Sequence, residues 1–244
     1  MSAELLPVLK EMIEMFYGYG IDLTYILVLI GAGLCLWAQN NVTSTYSKYS
    51  RVNSRTGLTG AMAAERILRS NGIYDVQIEH ISGNLTDHYD PTQKVLRLSD
   101  TVYGSTSVAA IGVAAHECGH AIQHQQGYAP LKIRSSLVPV ANLGSKLCWP
   151  LIVLGLLFSY TFVKAGILLF CGAILFQVVT LPVEFNASSR ALGILQGTGM
   201  LYEDELLATR KVLKAAALTY VASVASSLLQ LLRLVLLFGR RRDD

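Results

Sequence analysis

Only five histidines occur in the 244 residues, and two of them flank a glutamate in His116-Glu117-Cys118-Gly119-His120. This HExxH pentad lies in an apolar run, AAIGVAAHECGHAIQH, whose periodicity predicts a helix over Ser107–Gln126 with Ser107 as its cap. A four-residue spacing puts both imidazoles on one helix face, about 6 Å apart along the axis. Both can then reach a single Zn²⁺ at about 2.0–2.1 Å. Glu117 lies about 100° round the helix, beside such a metal rather than bound to it. From there it can take a proton from the attacking water and later give one to the leaving amine. Gly119 lets another backbone approach this helix, at a propensity cost of about 1 kcal/mol. The bland alternative is a pair of core histidines with a salt-bridged glutamate. It leaves Glu117 nearly the only acid in a long apolar stretch, where burial without a partner is costly.

A catalytic zinc takes three protein ligands and keeps the fourth position for water. His124 is on the same helix face, but it lies about 12 Å along the axis from His116 and reads as a polar residue at the helix end. Glu184 is the stronger candidate. It follows Pro182, where the chain returns from an apolar hairpin, and an acid at the mouth of a membrane helix pair is a functional candidate. Glu203 and Asp204 stand in a more polar run with other acids and read as solvated surface.

These side chains must be positioned by a largely apolar chain. Hydrophobic residues make up 52% of it and charged residues only 15%, against about 25% charged in an ordinary soluble domain; the mean hydropathy is +0.42. Residues 1–22 form an acidic, amphipathic segment unlike a secretory signal. Leu23–Ala38 is a first transmembrane helix with Trp37 at its interfacial end. Residues 39–146 read as a polar domain. Within it, Thr59–Asn71 forms a helix ending at Gly72, and Val76–Ile81 and Lys94–Leu98 form a small β-hairpin or an edge strand with a loop. Residues 147–181 suit a transmembrane hairpin, Leu147–Val163 and Ala165–Leu181, with its turn at Lys164 and its second arm ended by Pro182. Residues 182–214 are polar and helical and carry the third ligand. Residues 215–244 form a last helix that either spans the membrane or lies along its interface, followed by Arg240, Arg241 and Arg242.

The resulting fold class is a mainly α integral membrane protein. It is a helical bundle with three or four membrane segments, bearing the HExxH helix and a small β-hairpin or sheet in a cytosolic-side domain. Lys48, Arg51 and Arg55 follow the first span, and Arg190, Arg210, Lys211 and Lys214 follow the hairpin, which places this domain in the cytosol. The three terminal arginines oppose that rule if the last helix spans. Cys35, Cys118, Cys148 and Cys171 have no framework spacing, so neither disulfides nor a cysteine metal site is indicated. A net charge of +3 argues against nucleic acid as a partner.

The segments HECGHAIQH and GYAPLKIRSSLVPVANLGS, preceded by LTDHYDPTQKVLRLSD and closed by LPVEFNASSRA, resemble the YugP-like bacterial neutral zinc metallopeptidases over nearly the whole chain. More distantly the layout is similar to the HtpX heat-shock proteases and the CAAX prenyl-proteases. The resemblance implies a zinc peptidase of the bacterial plasma membrane, multi-pass, with its active site facing the cytosol. It carries metal ligation to His116, His120 and Glu184 and base catalysis to Glu117. HtpX-like proteins have an aspartate where this chain has Ser188, so Asn186, Ser188 or an acid from elsewhere must orient the ligand histidines.

The expected partners are the lipid bilayer and a peptide or protein substrate. Lys94–Leu98 could pair with substrate backbone as an edge strand, with His88 or Tyr89 hydrogen-bonding the oxyanion of the tetrahedral intermediate. The alternative is an ordinary hairpin whose Asp87 and Asp90 cap local backbone. The main rival to an endopeptidase is a zinc-stabilised membrane scaffold or quality-control adaptor, which would have no use for Glu117. A transporter is disfavoured, because Lys164 and Arg233 are the only charges within the spans.

Overall fold

The computed structural model describes residues 22–238. The acidic amino-terminal segment and Arg240–Arg242 lie outside the described residues. Helix α1 spans Tyr25–Tyr49 and α2 spans Gly60–Ser70. Three strands follow, β1 (Gln77–Ile81), β2 (His88–Asp90) and β3 (Val95–Ser99). Then come α3 (Val108–Gln125), α4 (Ala129–Leu157), α5 (Tyr160–Gly197) and α6 (Glu203–Phe238). Four of these helices, α1, α4, α5 and α6, are long and apolar enough to cross a membrane.

Thr59 and Ser107 cap α2 and α3, each hydroxyl accepting a backbone N–H three residues on. Ile67 and Leu68 of α2, Leu96 and Leu98 of β3, and Ile111 and Ile122 of α3 then close one buried core. This core lies beside the membrane helices and fixes α3, the HExxH helix, against the sheet.

The sheet differs from the expected hairpin. Its order is β1-β3-β2, with β1 parallel to β3 and β2 antiparallel to it, His88 facing Arg97. The loop expected between two strands therefore holds a third, and the hairpin is β2–β3. Asp90 accepts the Thr92 and Gln93 amides at its turn, and Asp87 accepts both the amide and the hydroxyl of Ser99. These local bonds hold a strand too short to show any period in sequence. They also leave β3 paired on both edges, so Lys94–Leu98 cannot take a substrate strand.

The membrane hairpin is also longer than expected. Its arms are α4 and α5, and its turn is Phe158–Ser159 rather than Lys164. Ser159 caps α5 through the Thr161 amide. Lys164 instead lies in the early turns of α5, its ammonium 5.1 Å from the Tyr160 ring centroid. A snorkelling lysine near a helix end can be kept in the helix. Gly166 permits the close crossing, since a Cβ there would lie 2.8 Å from the Cys148 carbonyl oxygen. Pro182 does not end the second arm. It lies inside α5, as Pro139 and Pro150 lie inside α4. A proline removes one helical hydrogen bond, which a long packed membrane helix tolerates.

The polar helix expected over 182–214 is divided by a turn at Thr198–Tyr202: α5 runs on to Gly197, and α6 is continuous from Glu203 to Phe238. The Tyr160 hydroxyl donates to the Phe238 carbonyl at 2.6 Å, so α6 ends beside the hairpin's turn. It therefore runs the depth of the hairpin instead of lying across it. At the same end the Arg233 guanidinium lies 4.0 Å from the Tyr25 ring centroid.

Candidate metal centre and active site

Helices α3 and α5 bring His116, His120 and Glu184 together, with one ligand atom of each within 4.8 Å of the others. Glu184 Oε2 is 3.3 Å from His116 Nε2 and 3.6 Å from His120 Nε2. The approach depends on Gly119. A Cβ at this position would lie 2.6 Å from the Ala187 carbonyl oxygen, so only glycine lets α5 come this close to α3.

The donor set fits a metal. Glu184 is only 3% exposed, and its Oε2 is buried with no hydrogen-bond partner. A buried carboxylate oxygen without a donor is costly unless a cation completes it. Its other oxygen lies 3.6 Å from the Arg134 Nη1. Two imidazoles and one carboxylate make a His₂Glu set, which leaves a tetrahedral zinc one open position.

Hydrogen bonds behind the imidazoles orient both rings, and at His120 the partner also selects the tautomer that frees Nε2. The Gln123 amide donates to the Val183 carbonyl at 2.8 Å and to Asn186 Oδ1 at 2.9 Å. With both donors engaged, its Oε1 is the acceptor that faces His120 Nδ1 at 3.1 Å. His120 then carries its proton on Nδ1 and presents the Nε2 lone pair to the cluster. Asn186 is held in turn by Arg190, which also reaches Gln126. Ser188 Oγ lies 3.0 Å from His116 Nδ1 and holds that ring in place, its hydroxyl able to donate or accept. Ser188 and Gln123, with Asn186 behind the latter, thus stand where an orienting acid was sought. Gln123→Ala should weaken zinc binding about 10- to 100-fold, read by competition with a chromogenic chelator, while the helices stay folded.

Glu117 is buried beside the cluster, and its Oε2 accepts the Tyr89 backbone N–H at 3.1 Å. Burial raises its carboxyl above the usual carboxylate range, against the pull of His116 and His120. Burial alone would lower His120, but contact with Glu184 and the charges of Glu117 and Glu184 outweigh it and leave the imidazole raised. A desolvated carboxylate of this kind is a stronger base than one in water.

Other candidates stand outside the ligand group, with His88 and His124 on the wall of the cavity that opens on it. The His124 Nδ1 pairs with the Tyr89 hydroxyl at 2.9 Å, Glu203 is exposed, and Asp204 pairs with Arg55. His88 is exposed on β2. Its ring contacts the Thr86 carbonyl and the Arg97 guanidinium, with no hydrogen bond to the cluster. Tyr220 of α6, by contrast, lines the cavities on both sides of the cluster and lies beside the Glu184 carboxylate. Sequence gave no signal for it, because it stands 36 residues beyond Glu184 within an apolar block. Gln123 left a fainter one, an uncharged polar residue one turn past His120.

The family model described as "Putative neutral zinc metallopeptidase" matches residues 24–239. The chain belongs to this family. It is 50% identical over 220 residues to "Putative membrane protease YugP" of Bacillus subtilis (strain 168), covering 89% of this chain and 97% of that one. No solved structure matches. Zinc is accordingly the family's metal, and among the described residues His116, His120 and Glu184 form a group that could hold it.

Proposed function

We propose that this chain is a membrane-embedded zinc endopeptidase, with His116, His120 and Glu184 holding the metal and Glu117 acting as general base. The observation that carries this reading is the buried, unpartnered Oε2 of Glu184 converging on two imidazole Nε2 atoms beside a carboxylate that is not one of the group. When bound there, zinc would polarise a peptide carbonyl and acidify water. Glu117, oriented by the Tyr89 amide, takes the proton of the attacking water and passes it to the leaving nitrogen. Its burial keeps competing solvent away from the proton in transit.

The outer edge of β2 faces the cavity at the cluster, where the Tyr89 carbonyl is left to meet substrate because the Tyr89 N–H is donated to Glu117. The Tyr89 N–H points away from β3, toward the cluster, and Asp87–Tyr89 line the cavity there. An extended peptide added antiparallel to β2 would lay its backbone across the cluster. On this reading Tyr220, rather than His88, donates to the oxyanion, since its side chain lines the cavity on both sides of the reacting centre. Tyr220→Phe should lower kcat about 100-fold with zinc content unchanged, whereas His88→Ala should change it by less than about threefold.

Residues 160–184 of α5 cover about 36 Å, enough to cross a hydrocarbon core of about 30 Å. Glu184 therefore falls at one membrane face. Lys48 in the last turn of α1, Arg51 and Arg55 after it, and Arg190, Arg210, Lys211 and Lys214 near the site argue for a cytosolic face, in a bacterial plasma membrane. The test is hydrolysis of β-casein by the purified chain in detergent. Activity lost on treatment with a chelator and restored by stoichiometric Zn²⁺ is the expected result. Cleavage indifferent to the chelator, or tight zinc binding without cleavage, would overturn the reading in favour of another mechanism or a structural metal.

A further inference from the structure

Past Glu184, α5 runs on to Gly197 before α6 returns beside it, and the groove between them holds a cavity of about 500 Å³. Its wall is graded along the two helices. Gln196 and Arg210 stand at the end nearest the turn, Ser188, Ser189 and Lys214 in the middle, and Phe185 and Ala217 at the end toward the membrane. No carboxylate lines it, and neither Arg210 nor Lys214 is in an ion pair among the described residues. Gly193 also lines it, and a Cβ there would meet nothing within 4 Å, so the space beside α5 is open. Arg210 and Lys214 are one helical turn apart on α6 and repel each other, a cost that an anion between them removes.

We propose that this groove binds the phosphate headgroup of an anionic membrane lipid, with Arg210 and Lys214 as its cations and Ser189 and Gln196 as hydrogen-bond donors. The proposal rests on the membrane placement of α5 given above and is independent of the peptidase reading. Depth decides where the phosphate comes from. With Glu184 at the membrane face, Ser188 and Ser189 stand about 6–7.5 Å beyond it along α5. That is within a headgroup layer about 5–8 Å thick on each side of the hydrocarbon core. Arg210 lies farther out, but its long side chain can lie along the groove and bring the guanidinium back to two phosphate oxygens. The apolar end of the groove then faces the acyl chains. Phe185 is 47% exposed there, beside Leu213 and Ala217, and offers them a surface. A free phosphate or a phosphorylated peptide would use the two cations and leave that end unfilled. Lys211 stands between the two cations in sequence yet does not line the groove, so the site is narrower than the basic stretch that contains it.

The test uses the full chain in detergent, stripped of lipid and titrated with phosphatidylglycerol or with phosphatidylcholine of the same acyl chains. Native mass spectrometry counts the lipid bound. Phosphatidylglycerol should bind at least about 10-fold more tightly than phosphatidylcholine. Lys214→Gln should weaken it about fivefold, and Arg210→Gln combined with Lys214→Gln about 25-fold, the effect of one surface cation taken once and twice. Lys211→Gln removes the same charge outside the groove and should change binding by less than about twofold. Gly193→Leu keeps every charge, suits a helix better than glycine and fills the groove, so it should abolish the preference. Equal binding of the two lipids would overturn the proposal. So would Lys211→Gln matching Lys214→Gln, which would mean a diffuse basic surface. Inorganic phosphate displacing the lipid at millimolar concentration would leave an anion site with no lipid specificity, and a phosphoserine peptide binding as tightly would assign the groove to a protein partner; either removes the lipid. Casein turnover reads the peptidase assignment separately, so each can fail without the other.

Discussion

Glu117→Gln is expected to retain zinc and lose at least about 10³-fold in kcat, the upper part of what a positioned general base supplies. The amide has nearly the shape of the carboxylate, and its oxygen can still accept the Tyr89 N–H. It cannot accept a proton from water near neutral pH. Because the native carboxyl is buried and resists ionisation, the amide should cost the fold nothing, and the melting temperature should stay level or rise. Metal analysis, casein hydrolysis and thermal denaturation on the same preparation check all three. Zinc lost together with activity would mean that Glu117 is itself a ligand, and the division of roles would have to be redrawn.

Glu184→Ala should have the opposite signature. Zinc should fall from about one per chain to a small fraction of that, because two imidazoles alone make an incomplete site. Activity should vanish with it. Glu184→Gln keeps the side-chain volume and serves as the control for packing, since an amide oxygen carries no charge to neutralise the metal. It should also lose zinc. The alanine variant leaves Arg134 without its acid and opens a void between α3 and α5, so a lower melting temperature is expected for it alone. Equal zinc in the unaltered chain and both variants would remove Glu184 from the site. Of the earlier rivals, His124 is engaged by Tyr89 and Glu203 is exposed.

The two assignments differ in how far sequence supports them. His116, Glu117 and His120 are legible because a helix converts a four-residue spacing into a shared face, and that conversion needs no tertiary information. Glu184 is legible less directly, through its place after a hairpin that returns the chain to the face it left. The hairpin itself was recognisable as an apolar block too long for one crossing. Its turn was not, because one lysine in an apolar run marks a boundary less firmly than a serine cap and a helix end do. The same holds for Pro182, which reads as a stop in water and is accommodated within a packed helix.

The sheet shows the other limit. A three-residue strand such as β2 has no period to detect, and its existence depends on Asp87 and Asp90 satisfying backbone groups of neighbouring segments. Parallel pairing of β1 with β3 joins residues that no local pattern relates. Arg134 and Tyr220 were invisible as site residues, and Gln123 only faintly marked, for a similar reason, since each owes its place to helices brought together only by folding.

By itself the sequence determined the chemistry available: two imidazoles on one helix face with a carboxylate between them, a distant carboxylate, and helices apolar enough for a bilayer. Only the tertiary structure decided which side chains orient the ligands, which strand edge faces the cluster, and what lies on either side of it. Helical periodicity is a property of the chain, so it can be read along the chain. The approach of α5 to α3 across Gly119, and the cavity left between α1 and α6, are set by packing between segments far apart in sequence.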